Sequence, residues 1–222
     1  MQEELDKFGQ WSKDNYMLLN GDKCKIMTIC FLRIPPAPPS LNIYGSELES
    51  VAVACLLGVW LQANLKWETN VTKMLNKANG RLFLLRRLKH FNLPVNDLLQ
   101  VYKSYVRPVV EYCAPVWHPG LTSSQSARLE RIQKRALRTI LRGQYVDYNS
   151  ALHTTGLQSL SSRRTDLCRK FASKINPDLL PPRGSEEHGR NTRNANKLRT
   201  VKCRTNRYQN STIPYLIRLL NE

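Results

Sequence analysis

Between Ala127 and Arg142 two stripes run along one stretch of chain, and each demands the same backbone. Leu129, Ile132, Ala136 and Ile140 recur at three- and four-residue spacing, which puts them on one face of a helix. Arg128, Arg131, Arg135, Arg138 and Arg142 keep the same spacing on a displaced line. At about 100° per residue the two lines lie well over a quarter turn apart. Such a helix packs with one side and holds out guanidiniums with the other, an arrangement suited to a phosphate backbone. A plain solvated charged face has the same pattern. Upstream, Gln100 to Cys113 reads as a second helix, and Pro115, Pro119 and Gly120 make the turn between the two.

Charge narrows the classes of partner. The 222 residues carry 34 Lys and Arg against 17 Asp and Glu, a formal +17. The first 66 residues hold six basic and seven acidic side chains, and the rest hold 28 and ten. The whole excess therefore sits on the later two-thirds and points to an acidic polymer or anionic surface. The longest apolar run, Val51 to Leu61, is too short to span a bilayer as a helix, and the first residues lack the form of a secretory signal. We expect a soluble intracellular chain, nuclear or cytoplasmic, with no membrane partner. Cys24, Cys30, Cys55, Cys113, Cys168 and Cys203 form no Cys-x-x-Cys pair and have no histidine at ligand spacing. The expectation is reduced cysteines in apolar surroundings, with no metal and no cofactor.

The pattern changes along the chain. Residues 3 to about 19 read as a helix with Leu5, Phe8, Trp11 and Ser12 on one side. Lys25 to Leu32, Leu41 to Tyr44 and Leu56 to Leu61 read as strands, separated by the proline cluster Pro35, Pro36, Pro38 and Pro39 and by a Gly45 turn. From Trp67 long helices take over. Val71, Leu75, Ala78, Leu82, Leu85 and Leu88 form a seam, while Lys73, Lys77 and Arg81 recur every fourth residue and Arg86, Arg87 and Lys89 crowd the end. Pro108 should kink the helix that carries Tyr102, Tyr105, Val106 and Val109 inward. Arg107 and Glu111 are spaced to pair, Asp147 to cap a helix, and His118 to sit in a turn. A helix from Ser159 to Ile175 has Leu167, Phe171 and Ile175 inside and Arg163, Arg164, Arg169 and Lys170 outside. The four tryptophans (Trp11, Trp60, Trp67, Trp117) are expected in cores rather than as stacking platforms. The fold class is α+β, mostly α: a small partial sheet with one helix over 1–66, a basic helical bundle over 67–176, and a basic tail over 177–222. That tail, with Arg190, Arg193, Lys197 and Arg199, is expected to be largely irregular until a short terminal helix.

In order, these residues resemble the C-terminal part of a non-LTR (LINE-type, jockey-like) retrotransposon reverse transcriptase. The similarity runs from Leu5 to Lys25 (Leu-Asp-Lys-Phe-Gly-Gln-Trp-Ser-x-x-Asn-x-Met-x-Leu-Asn-x-x-Lys-Cys-Lys) through Leu57-Gly58-Val59, Leu65-Lys66-Trp67 and Lys77-Ala78-Asn79. It continues through Tyr102 to Trp117 and Leu129 to Leu137 and ends at Ser211 to Tyr215 and Asn221, covering nearly the whole chain. The resemblance implies the end of a palm, then a thumb and post-thumb that hold a template–primer duplex. It implies that Lys23 corresponds to a palm-motif lysine near the leaving pyrophosphate, and Leu57 and Gly58 to a primer-grip turn. Lys73, Lys77, Arg81, Arg86, Arg87, Arg128, Arg131, Arg135, Arg138 and Arg142 would contact phosphates of an RNA/DNA duplex or structured RNA without reading bases. The departure is chemical. Nucleotidyl transfer needs two metals held by carboxylates; the family's Asp-Asp motif and its upstream aspartate would precede residue 1. The expectation is binding without polymerisation. A co-opted helical interaction module and a non-functional mobile-element relic stay open beside it.

Overall fold

A computed structural model describes residues 1–34, 36–188 and 195–222. The chain divides into two compact units, Met1–Asn70 and Val71–Glu222. The architecture is α+β and mostly helical.

In the first unit α1 (Gln2–Asp14) packs on a short antiparallel pair, β2 (Asn42–Ile43) and β3 (Ser46–Glu47). Gln2 binds Asn42 twice, its Nε2 donating to the carbonyl at 2.9 Å and its Oε1 accepting from the amide at 3.0 Å. The Tyr44 hydroxyl donates to the Gly9 carbonyl at 2.9 Å. β1 (Lys25–Ile26) runs parallel to β4 (Glu49–Ser50), and β5 (Val53–Leu56) forms a hairpin with β6 (Val59–Gln62). The strands thus pair as three two-stranded ribbons.

Three expectations change here. The helix stops at Asp14 rather than near residue 19, and its packed face carries Gly9 and Ser12, while Phe8 and Trp11 stack on each other in solvent at 5.7 Å. Trp11 is therefore not a core residue. The strand expected from Lys25 to Leu32 shrinks to two residues, because a β-forming run is realised only where a neighbour offers its ladder groups. The strand expected from Leu56 to Leu61 is broken by a two-residue turn at Leu57 and Gly58, whose φ of 48° and 82° turn the chain back tightly. Pro35 lies outside the described residues; its neighbours Pro36, Pro38 and Pro39 are in irregular chain as expected.

The second unit is built on α5 (Ser123–Leu141). A capping box starts it: Thr122 Oγ1 accepts from the Gln125 amide at 3.2 Å, and Gln125 Oε1 accepts from the Thr122 amide at 2.9 Å. Its inward face buries Leu129, Ile132, Ala136, Leu137 and Ile140 almost completely. The same core takes Val71, Ala78 and Leu85 of α2 (Glu68–His90), Leu98 of α3 (Val95–Val101), and Tyr102, Val106 and Val110 beyond it. Pro108 acts as expected but over a longer span. The helix widens to a π turn at Tyr102–Val106, tightens to a 3₁₀ turn at Arg107–Val110, and ends at Cys113 with φ 51°. α4 (Ala114–Trp117) then buries Trp117 completely, its indole N–H donating to the Tyr112 carbonyl at 2.8 Å.

Asp147 caps α6 (Tyr148–Thr155) as expected, accepting from the amides of Asn149 and Ser150 at 2.8 and 3.0 Å. These bonds hold its carboxyl below the usual carboxylate range. α7 (Leu160–Ala172) is rotated from the expected orientation. Leu160, Arg164, Cys168 and Ala172 face inward, and Phe171 is half exposed. The described part of the tail holds more regular structure than expected. α8 (Gly184–His188) and α9 (Asn206–Gln209) precede α10 (Thr212–Asn221), which packs on α7 through Leu216 and Leu219 against Cys168 and Ala172. The Asn221 side chain pairs with both backbone groups of Leu198, at 2.9 and 3.0 Å. Arg190 and Arg193 lie outside the described residues.

A polar chain crosses this core. The Tyr102 hydroxyl donates to Gln133 Oε1 at 2.5 Å, and Gln133 Nε2 donates to the Tyr148 hydroxyl at 3.0 Å and the Gln158 carbonyl at 2.7 Å. The Tyr148 hydroxyl in turn donates to Glu130, whose carboxylate accepts from the first two amides of α7, Leu160 at 2.8 Å and Ser161 at 3.1 Å. Glu130→Ala should therefore lower unfolding free energy by roughly 2–4 kcal/mol, since it strands a hydroxyl and two helix-end amides. Arg131→Ala, one residue away on the outer face, should change it by less than about 0.5 kcal/mol. Urea unfolding of both variants measures the difference.

Candidate nucleic-acid interface

Two hydrogen bonds set the geometry of the basic surface. Arg128 donates to Thr72 Oγ1 at 3.3 Å, and Arg135 donates to Asn79 Oδ1 at 2.7 Å. Both members advance by seven residues from the first bond to the second. α5 therefore lies beside α2 and runs parallel to it, with the Arg128–Arg135 edge against the Thr72–Asn79 edge. At about 100° per residue Arg86 and Arg87 fall within about 60° of Thr72, on the α5 side of α2, whereas Lys73, Lys77 and Arg81 lie about 100° to 180° round from it, away from α5.

The ten expected phosphate contacts fall into two groups. Lys73, Lys77, Arg86, Arg87, Arg131, Arg135, Arg138 and Arg142 are exposed, and Arg81 and Arg128 are half buried. Arg81 is drawn into the fold: it donates to the Tyr105 carbonyl and lies over the Tyr105 ring at 4.3 Å. Arg128 and Arg135 serve the helix pairing. Arg138 sits over Tyr145 at 5.3 Å, and Arg86 and Arg87 approach the Phe83 ring at 6.0 and 5.9 Å. Arg142 is beyond the last helical residue, at φ 47°, so it does not continue the row in helical register.

Among the described residues, none of Lys77, Arg81, Arg86, Arg87, Arg131, Arg135, Arg138 and Arg142 is ion-paired with a carboxylate. Three of the unit's acids are committed elsewhere. Glu111 lies 2.6 Å from Arg163 Nε and 3.5 Å from Arg107 Nε, the second contact being the expected one. Asp166 and Glu222 both hold Arg169, at 3.2 and 2.9 Å.

The palm-like residues lie in the first unit. Lys23 ends a 3₁₀ turn (Gly21–Lys23) whose cap, Asn20, accepts from the Lys23 amide at 3.2 Å, and its side chain is exposed. Leu57 and Gly58 form the exposed hairpin tip described above, and Leu57 is 84% exposed.

A buried arginine was missed. Arg164 has no exposed surface; it faces the Trp117 ring at 6.0 Å, its Nε donates to His118 Nδ1 at 3.3 Å and its Nη2 to Ser126 Oγ at 3.1 Å. Its Nη1 is buried with no hydrogen-bond partner. The signal was present in the four-residue spacing of Leu160, Arg164, Cys168 and Ala172, but Leu167, Phe171 and Ile175 offered a more apolar face. His118 is accordingly a packed residue as well as a turn residue. It accepts at Nδ1, so its proton sits on Nε2, directed to Thr165 Oγ1 at 3.3 Å. An open groove of about 480 Å³ runs past it, lined by Thr122, Ser126, Glu130, Lys134 and Ser161. Among the described residues no group of three His, Cys, Asp or Glu side chains is placed to hold a metal, and no helix is long and apolar enough to cross a membrane.

Burial first, and then the Arg164 charge, push the His118 ring down to about 4. The unfolded ring protonates below about 6.5, so the stability His118 contributes is complete above that pH and is lost progressively as pH falls to about 4. Chemical denaturation across this range should show that loss, and His118→Gln should flatten it. An imidazole NMR titration midpoint near 6.5 in the native state would contradict the geometry.

With this geometry in view, no protein-family model, no curated protein and no solved structure matches the chain.

Proposed function

We propose that this chain is a thumb-containing part of a non-LTR retrotransposon reverse transcriptase and that it grips an RNA/DNA duplex or structured RNA through phosphates. One observation carries the binding half: the exposed Arg86 and Arg87 of α2 and Arg131 and Arg138 of α5, on two parallel helices, have no carboxylate partner among the described residues. An isolated row of this kind is common on solvated helices. Here α5 is joined at Arg128 and Arg135 to a helix 56 positions away in the chain, whose Arg86 and Arg87 lie on the same side and extend the row into a surface. The ordered resemblance from Leu5 to Asn221 supports the descent.

The spacing suits a duplex. Arg131 and Arg138 lie seven residues apart, about 10.5 Å along the helix axis at 1.5 Å per residue. That is about three steps of 3.4 Å along one strand. The remaining motions of long arginine side chains allow bidentate contact with successive phosphate oxygens. Nothing in such contacts distinguishes bases, so the binding is sequence-tolerant. The Leu57–Gly58 tip and Lys23 would meet the primer side if the first unit acts as the end of a palm. The carboxylate pair that polymerisation requires is not among these residues, so we assign the chain binding and no nucleotidyl transfer.

Affinity for an RNA–DNA hybrid, scanned across salt, tests the binding. Log affinity should fall linearly with log salt. Arg131→Gln, Arg138→Gln and Arg142→Gln together should lower the slope by between about 2 and 3, since each neutralised phosphate contributes about 0.9. These three avoid the arginines that join the helices, so thermal unfolding should be unchanged. A folded wild type that binds no hybrid sinks the proposal and leaves the interaction module or the relic. In a separate assay, primer extension on an RNA template with magnesium should give no product; templated extension would overturn the assignment of binding alone.

A further inference from the structure

The basic surface does not end in charge. Near the C-terminal end of α2, Phe83 is 56% exposed, Leu84 41% and Phe91 65%. Phe83 has a guanidinium on each of two neighbouring residues, Arg86 and Arg87, with their carbons 6.0 and 5.9 Å from the ring centroid. Cations in the last turn of a helix also offset its dipole. That effect gives no reason for a large aromatic ring to stay in water beside them. On the helix wheel Phe83 lies on the side of α2 that carries Thr72 and Asn79, the side turned to α5. Carried one turn past Asn79–Arg135, the same offset would set Phe83 opposite Thr139, next to Arg138. Arg138 is itself stacked on Tyr145 at 5.3 Å. One end of the cation surface thus combines two aromatic rings with three arginines that have no acidic partner among the described residues.

Resting on the nucleic-acid reading above, we infer that Phe83 is a stacking platform for an unpaired nucleobase, with Arg86 and Arg87 holding the phosphates that flank it. The chemistry selects this occupant. A duplex gives phosphates but keeps its base faces covered, so it satisfies the arginines and leaves the ring wet. A single strand supplies a π face and a phosphate in each nucleotide, which matches a ring with guanidiniums beside it. The partner is therefore a duplex with a single-stranded extension, its paired part on the arginines of α5 and its first unpaired nucleotides on Phe83. The ring is exposed and on a helix surface, so replacing it leaves the core intact.

The test uses the full chain and two RNA–DNA hybrids of equal paired length, one blunt and one with a short unpaired extension carrying 2-aminopurine at its first position. The wild type should bind the extended hybrid more tightly, by roughly five- to a hundredfold, and quench the probe. Phe83→Leu should lose that preference and the quench, keep its affinity for the blunt hybrid and keep its melting temperature; Phe83→Trp should retain both signals. Equal affinity of the wild type for the two hybrids overturns the platform while leaving the duplex reading standing. Absence of binding to either hybrid overturns both. Sedimentation showing a dimer that Phe83→Leu dissolves, with hybrid binding unchanged, assigns the patch to a second copy of the chain and overturns the platform as well.

Discussion

The second unit depends on one carboxylate that is placed where three elements meet. Glu130 lies on α5, receives the Tyr148 hydroxyl from α6, and receives the first two amides of α7. A helix start carries unsatisfied donors and a partial positive charge, and an anion there answers both. Gln133, one turn on, extends the same contacts to Tyr102 and the Gln158 carbonyl. Burial of these tyrosines, and for Tyr148 the hydrogen bond to Glu130, pushes both hydroxyls well above their usual range. They stay neutral donors. Apolar side chains hold α5 in the core, but this polar chain decides the register in which the other helices meet it.

That arrangement also explains the surface. An acid used to cap a helix is not available to neutralise a neighbour. Glu130 is spent on α7, Glu111 on Arg163 and Arg107, and Asp166 with Glu222 on Arg169. The unit has far more cations than acids, and these acids are used away from the α2–α5 arginines. Among the described residues Arg86, Arg87, Arg131 and Arg138 are left without an acidic partner, and an anionic polymer would feel their charge over about a Debye length. The buried Arg164 is the exception: one cation is taken inside, where a neutral imidazole and a hydroxyl serve as acceptors.

Much of the layout was legible from residues alone. The Leu129 to Ile140 stripe, the Asp147 cap, the Arg107–Glu111 pairing and the break at Pro108 each rest on local geometry within a turn or two of helix, and each is present. The first unit was read less well. Its strand-forming runs are short and lie among polar chain, and a strand exists only with a partner. Lys25 and Ile26 find one in Glu49 and Ser50, whereas Met27 to Cys30 are irregular chain. The tail misled through composition: its polar, basic character hid the side-chain clamp of Asn221 on Leu198, which is not visible in any local window.

The sequence by itself did not place every helix end: α1 stops at Asp14 rather than near residue 19. It determined the main helical stretches of the second unit and how far apart two residues lie around a helix axis. Those are short-range properties of backbone sterics and side-chain spacing. It could not determine the absolute direction of each helix face, because periodicity has no origin until a neighbour supplies one. Only the tertiary structure turned Arg164 into the core and Phe171 out of it. The same packing bound Arg128 and Arg135 to the Thr72–Asn79 edge of α2 and folded Arg81 onto Tyr105. The arginines were countable in the chain; their division into internal struts and an outward surface came from packing.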